Sequence, residues 1–460
     1  MTSPLQSAQA KPRPPRVVIV GAGFGGLAAA KALADAPVEV VVIDQRNHHT
    51  FQPLLYQVAT AGLDVDDICY TTRGIFHRQK NARALQATVT GADFETKEVQ
   101  TSSGPSIEYD YLILAIGAVT ADFGVPGVAD HTYGLKSAAE AMQIRNHVLR
   151  NFELAERTDD DTIRHASTTV VIVGGGPTGV EMAGGFAELI DKPLRRDFPG
   201  IDTDRARVVL VEGQDRLLAS FAPSLGEKAR HRLTKMGVEV KLSTQVAAVT
   251  ADEVRFADDS VIASNTVIWA AGVRAHPLAE ALGLQTARGG RVVVDEHLRV
   301  AGHDRVFAIG DLAASPDRRP QDSDEGGSEA NAVVPQVAPG AMQGGQHVAA
   351  MIAAELDNDR QDPAEHEPFL YRDKGSMATI GRNAAVVELP VGPNITGFAG
   401  WVAWLGLHLV MLIGFRNRAN VLVNWAWNYL TYDRGSRLII ELDDRLQVDD
   451  PSLHNGRSPS

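Results

Sequence analysis

An α/β fold with two Rossmann-like dinucleotide-binding domains and a C-terminal region of amphipathic helices is what this 460-residue sequence predicts. Three observations carry that prediction. A β-branched strand runs straight into a glycine cluster near the N-terminus, the same pattern returns about 150 residues later, and an uncharged apolar run follows close to the C-terminus. The length itself exceeds what one hydrophobic core organises comfortably, so two or three domains are expected.

The first pattern begins with "RVVIV", Arg16 to Val20, and continues into Gly21-Ala22-Gly23-Phe24-Gly25-Gly26. An alanine-rich helical segment follows, then an apolar strand ending on Asp44. In a βαβ unit the first glycine permits the tight turn, the second admits a pyrophosphate to the main chain, and the third allows the helix to pack closely. The diphosphate then meets the positive end of a helix, and a carboxylate at the position of Asp44 can accept hydrogen bonds from ribose hydroxyls.

The second pattern is "TVVIV" followed by Gly174-Gly175-Gly176-Pro177-Thr178-Gly179, with a strand ending on Glu212. The connection "IDKPLRRDFPGIDTDR" places this acid farther from its glycines than usual. Two nucleotide sites in one chain imply two redox cofactors. Glu212 repels the additional phosphate of NADPH, which favours NADH at this site, while nearby Arg216 leaves the phosphorylated cofactor open. Glu181, two residues past Gly179, is expected in the first turn of the helix. There it either organises nicotinamide and relays protons, or simply complements the helix dipole.

Three strands look like connections between such domains. "YDYLILAIGA" stops at Gly117, "NTVIWAAGV" stops at Gly272, and "DRVFAIGDLA" delivers Gly310 and Asp311 to a turn. Asp311 sits where a carboxylate can bind a polyol chain, or can cap the following segment.

This order of glycine turns and connecting strands resembles the pyridine nucleotide–disulfide reductase superfamily, with its three-layer, two-dinucleotide flavoprotein fold, over residues 16 to about 350. Within it, "HHTFQPLLYQVATAG", the "AIGD" turn and "KGSMATIGR" with its hydrophobic tail resemble the type II NADH dehydrogenases. The resemblance implies FAD at the first fingerprint, NADH at the second and a membrane quinone as acceptor. It also implies Gln52 near the flavin ring, Val89 near the adenine and Asp311 on the ribityl chain. The family's quinone segment, with two alanines and two glutamines, is matched by Ala338, Ala341 and Gln343, with Pro339 where its first glutamine is expected. Gln343 either hydrogen-bonds a quinone carbonyl or caps its helix. Lys374 either steadies a quinol anion or is a solvated lysine. A homodimer is expected from the family alone.

Composition narrows the alternatives. A formal charge of −13 without long like-charged blocks argues against nucleic-acid partners. Cys69 is the sole cysteine, which excludes a redox pair or a cysteine-rich metal site and suits a reducing compartment; it reads as a small buried residue. No metal site is suggested, and the N-terminal stretch lacks the apolar core of a secretory signal.

The 18 uncharged residues from Phe398 to Phe415 would extend about 27 Å as a helix, close to the thickness of a bilayer core. Interrupting glycines, Arg416 and Arg418 immediately after, and Asn420, Asn424 and Asn428 along one face of the next segment favour lying on the membrane. A single span and a buried dimer interface are the other readings. Trp401, Trp404, Trp425, Trp427 and Tyr429 resemble an interfacial belt, with Arg434 and Arg437 joining the arginines available to headgroups.

The expected organisation is a tail over 1–14, an FAD domain over 15–125 and 289–360 with an acidic loop at 315–333, an NADH domain over 126–288, a membrane-associated region over 361–445 and a second tail over 446–460. The expected activity is two-electron transfer from NADH through FAD to a quinone, without proton pumping, at the cytoplasmic face of the membrane. A soluble ferredoxin-type reductase and an NADH-responsive binding module are the competing readings.

Overall fold

A computed structural model describes residues 13–318, 332–357, 366–431 and 433–440. Nearly all of both expected tails and most of the expected acidic loop lie outside these residues. The chain divides into two compact units: Met1–His48, Thr71–Gly117 and Ala275–Arg372 form one, and His49–Tyr70, Ala118–Arg274 and Asp373–Ser460 form the other. Residues 49–70 thus fall in the second unit because Leu54, Leu55, Tyr56 and Val58 are buried, packing with the helices Ala138–Arg157 and Pro177–Leu189.

The first unit is organised by a five-stranded parallel sheet in the order 306–308, 111–114, 16–20, 39–44, 82–86. Arg16–Val20 lies at its centre, in register with Glu39–Ile43 on one side and Tyr111–Leu114 on the other. A central parallel strand is covered on both faces, which is why this segment is a continuous apolar run instead of an alternating one. Phe24–Ala32 and Ala338–Leu356 pack against each other at glycines. A Cβ added to Gly345 would stand 2.3 Å from the Gly25 carbonyl oxygen, so the backbones meet where a side chain has no room.

The second unit repeats the plan with a four-stranded parallel sheet ordered 239–241, 207–211, 169–173, 266–269. Its core gathers Val171, Val173, Val209, Val211, Val267 and Trp269. An antiparallel sheet, Ser376–Thr379, Ala385–Glu388 and Ile395–Thr396, leads into two helices, Gly397–Met411 and Phe415–Thr431. The long apolar run is therefore broken at Gly414, whose φ of +89° suits a residue without Cβ. Among the described residues no helix is long and apolar enough to cross a membrane, and the first of the pair extends only about 22 Å.

Candidate active site

The two glycine turns have matching geometry, and each glycine has its own reason. Gly21 has a φ of +105° and its absent Cβ would collide with Ala115 O at 2.4 Å. Gly26 faces Gly21 O at 1.9 Å from the same hypothetical atom. Gly23, between them, is exposed and would meet nothing within 4 Å. In the second unit Gly174 has a φ of +112° and abuts Ala270, Gly179 abuts Gly174 O at 1.8 Å, and Gly176 again opens on free space. An open middle glycine leaves room for a diphosphate to approach the main chain, at the start of the helices Phe24–Ala32 and Pro177–Leu189. Pro177 opens the second helix, where its missing N–H costs nothing, with Thr178 exposed beside it.

The two acids hold these turns in the same way. Asp44 accepts the Ala22 N–H at 2.7 Å and the Arg46 N–H at 2.8 Å. Glu212 accepts the Gly175 N–H at 2.6 Å and the Gln214 N–H at 2.8 Å. A carboxylate has about four acceptor positions, so each retains capacity for ribose hydroxyls. The long connection before Glu212 changes nothing in this geometry, since the extra residues lie outside the strand that carries the acid.

Other residues singled out from the sequence take varied places. Val89 is buried in the strand Val89–Asp93. Gly117, with φ +81°, follows Tyr111–Leu114. Gly310 has φ +67° and leaves 2.8 Å between a hypothetical Cβ and that of Ala341; Asp311 belongs to the same short 3-10 turn. Asp311 is not the helix cap allowed by the sequence: the cap position of that turn is Ile309, and the Asp311 carbonyl accepts the Gln336 amide at 2.9 Å. Ala338 is the first residue of Ala338–Leu356. Gln52 is exposed and donates to Lys136 O at 3.3 Å, and Lys374 is exposed. Gln343 does not cap its helix. Its amide donates to Arg372 O and accepts Arg372 N–H, both at 2.9 Å, latching the chain that follows.

Glu181 occupies the second turn of Pro177–Leu189, and no acid lies in the first. The dipole explanation offered by the sequence therefore loses its geometry, because that field acts within the first turn. Glu181 is half-buried, and its carboxylate is held by the Thr379 N–H at 3.3 Å and by the Trp404 side chain. Removal from water pushes its pKa up to about 8, opposed only in part by these two donors. Partial removal from water thus favours the protonated form of Glu181 at neutral pH.

Around Thr379 and Trp404 lies a set of polar and aromatic groups that the sequence reading missed. The buried Tyr56 hydroxyl is 3.0 Å from Thr379 Oγ1 and accepts the Gln57 amide at 3.0 Å, while Gln57 Oε1 accepts the Trp425 indole N–H at 2.7 Å. Burial, aided by Glu181, raises the Tyr56 pKa well above the ordinary phenol range. His408 stacks on Trp404 with centroids 4.0 Å apart, and its Nδ1 lies 2.7 Å from Trp404 O. Burial lowers the His408 pKa to about 4, so the ring is neutral. The signal was present in "TFQPLLYQ" and "SMATIG", but their approach across more than 300 residues is tertiary.

The last two helices correct part of the expected belt. Trp404 is buried and Trp425 is tied to Gln57, whereas Trp427 and Tyr429 are exposed. Arg434 and Arg437 are engaged inward, by Glu188 at 2.8 Å and by Asp197 at 2.6 Å, leaving Arg416 and Arg418 exposed. Two members of the asparagine stripe point inward: Asn424 donates to Asp67 at 2.8 Å and Asn428 to Gly62 O at 2.9 Å. Phe415, Leu422, Val423, Trp427 and Leu430 face outward. Cys69 is half-buried rather than enclosed, with Thr50 Oγ1 at 3.5 Å. Among the described residues no cluster of ligands fits a metal.

Two glycine turns, each locked by an acid and open at its middle glycine, define a protein built to hold two dinucleotides. The family model for pyridine nucleotide-disulphide oxidoreductases matches residues 15–345, and that for the NDH2 C-terminal domain matches residues 374–432. The chain is 41% identical over 452 residues to the type II NADH:quinone oxidoreductase Ndh of Mycobacterium tuberculosis, covering 95% of this chain and 93% of that one. It is 40% identical over 440 residues to NdhA of the same organism, covering 92% and 89%. A solved structure of NDH2 from Plasmodium falciparum in complex with NADH shares the fold, with a TM-score of 0.82 at 21% identity over 93% of this chain and all of that one. The chain belongs to the type II NADH:quinone oxidoreductases, a family of flavoenzymes whose cofactors are FAD and NADH and whose acceptor is a quinone.

Proposed function

We propose that this chain passes two electrons from NADH through FAD to a membrane quinone, docked without spanning at the cytoplasmic face, as a homodimer, and without pumping protons. FAD, bound at the turn of Gly21, Gly23, Phe24, Gly25 and Gly26, supplies the two-electron relay. Asp44 receives its adenosine ribose, Val89 borders the adenine, and Gly117, Gly310, Asp311 and Ala338 line the rest of its site. The fit rests on Gly23, whose missing side chain leaves open space on an otherwise tightly packed turn.

NADH binds at Gly174, Gly176, Pro177, Thr178 and Gly179, with Glu212 on its adenosine ribose and Gly272 beyond. The carboxylate of Glu212 disfavours a 2′-phosphate at that position. Glu181, protonated at neutral pH, is the source of a proton for the reduced quinone, with Tyr56 and Thr379 fixing its surroundings. Lys374 steadies the developing quinol anion from solvent. Gln343 keeps a second amide N–H and a second oxygen lone pair beyond its Arg372 latch, so it donates to a quinone carbonyl without releasing that latch.

The observation that carries the membrane part is the reversed polarity of Phe415–Thr431: Asn417, Asn424 and Asn428 face the protein, while Phe415, Leu422, Val423, Trp427 and Leu430 face out. Each large apolar side chain moved from water into an apolar phase contributes about 1.5–3 kcal/mol, so this surface favours a lipid environment. The test of the electron-transfer reading is an anaerobic titration of the purified protein with NADH, followed by ubiquinone and menaquinone analogues. Stoichiometric bleaching of flavin absorbance by NADH and its return on quinone addition is the expected result; no bleaching, or bleaching that no quinone reverses, would refute it.

A further inference from the structure

Phe123 is hard to explain as packing. Its ring is 66% exposed, and its backbone has a φ of +53°, a left-handed conformation that is an outlier for a bulky residue. The loop nevertheless holds it firmly. Ala121 donates its N–H to Gly272 O at 3.1 Å, the buried Trp269 donates its indole N–H to Ala121 O at 2.7 Å, and the Gly124 N–H reaches Asp122 Oδ1 at 3.1 Å. The tip of the ring lies against Gly272, where an added Cβ would come within 2.7 Å of Phe123 Cζ. A costly conformation thus presents a large apolar ring to solvent beside a connecting turn of the second unit.

The sheet order says what passes that turn. Glu212 follows the strand 207–211 on one side of the central strand 169–173, and Gly272 follows 266–269 on the other. Val173 and Trp269 are in register, and Gly174 abuts Ala270, so the two turns adjoin. A dinucleotide lies across the carboxyl ends of such strands with its diphosphate at the glycine turn. With adenosine on the Glu212 side, the nicotinamide half extends over Ala270–Gly272.

We propose that Phe123 forms the aromatic wall against which the nicotinamide half of NADH is held. This rests on NADH binding at the second fingerprint. An aromatic flank offers area at little conformational cost and shields a reacting ring from water.

The test compares Phe123→Ala, Phe123→Gly and Phe123→Tyr in the full-length FAD-loaded protein. Phe123→Ala and Phe123→Gly are expected to raise the KM for NADH about ten-fold, whereas Phe123→Tyr stays within about two-fold of the parent. The Ki of ADP, which fills only the adenosine side, is expected to be unchanged in all three. Phe123→Gly suits the left-handed backbone, so its Tm is expected not to fall, separating loss of the wall from loss of fold. Gly272→Ala, which pushes the ring aside, is expected to raise KM likewise. An unaltered KM in Phe123→Ala and Phe123→Gly, or an ADP Ki that rises in parallel, overturns this inference alone. A parent protein whose flavin NADH fails to bleach overturns it together with the proposed function.

Discussion

At the scale of single residues, Glu181 has the most consequence. Folded, it keeps its proton up to about pH 8, whereas the unperturbed carboxyl releases it near 4.5. Between those values the native state binds more protons than the unfolded state, so stability falls as pH rises. The contribution is complete below about 4.5 and is lost as pH passes through about 8. Glu181→Gln, neutral throughout, is expected to flatten the decline in Tm between pH 6 and pH 9. In stopped flow the same variant is expected to keep flavin reduction by NADH while slowing reoxidation by quinone about a hundred-fold; equal slowing of both half-reactions would argue against its role as proton donor. The residue itself was legible in the sequence, two places past a fingerprint glycine. Its protonation was not, because the Thr379 amide and Trp404 that enclose it arrive from about 200 residues away. The placement of Asp44 and Glu212 beside their glycine turns was legible, since strand, turn and acid lie in one local unit.

At the scale of elements, periodicity reveals that a helix has two faces without telling which one turns inward. For Phe415–Thr431 the asparagines read naturally as the wet face, but Asn417, Asn424 and Asn428 satisfy carbonyls and a carboxylate of residues 62–69. Buried amides with partners cost little, so the polar side can be the inner side. The glycine helices illustrate the complementary case. Gly344 and Gly345 are conspicuous in the sequence as helix breakers, yet they sit inside Ala338–Leu356, Gly344 against Leu298 and Ile309 and Gly345 where that helix crosses Phe24–Ala32. Gly345→Ala forces a Cβ onto the Gly25 carbonyl, a backbone atom that cannot swing away. It is expected to destabilise the protein by about 1–3 kcal/mol and to weaken flavin retention, since Gly25 belongs to the first fingerprint. Chemical denaturation and the flavin-to-protein absorbance ratio after dialysis measure the two effects.

At the scale of the whole molecule, ligand linkage and membrane docking make separable demands. A dinucleotide bound only by the folded chain stabilises it by RT ln(1 + [L]/Kd), so stripping FAD is expected to lower Tm, and adding FAD to restore it in a concentration-dependent way. Docking is tested on side chains that support nothing inside the protein: Val423 is 65% exposed and Leu430 77% exposed. Val423→Asp with Leu430→Asp should therefore leave Tm and NADH-dependent flavin bleaching unchanged, because neither carboxylate has to be buried in the soluble protein. On a bilayer the same pair replaces two apolar contacts with two charges that lose water, which reverses the sign of the docking free energy at those positions. Flotation with liposomes is expected to show the variant largely unbound. Turnover with a long-chain quinone in those liposomes is expected to fall at least about ten-fold, a loss of about 1.4 kcal/mol in docking, while a water-soluble short-chain quinone is reduced at the parent rate. Equal losses with both acceptors would instead place the damage at the quinone site, and undiminished long-chain turnover would mean that this face does not meet lipid at all.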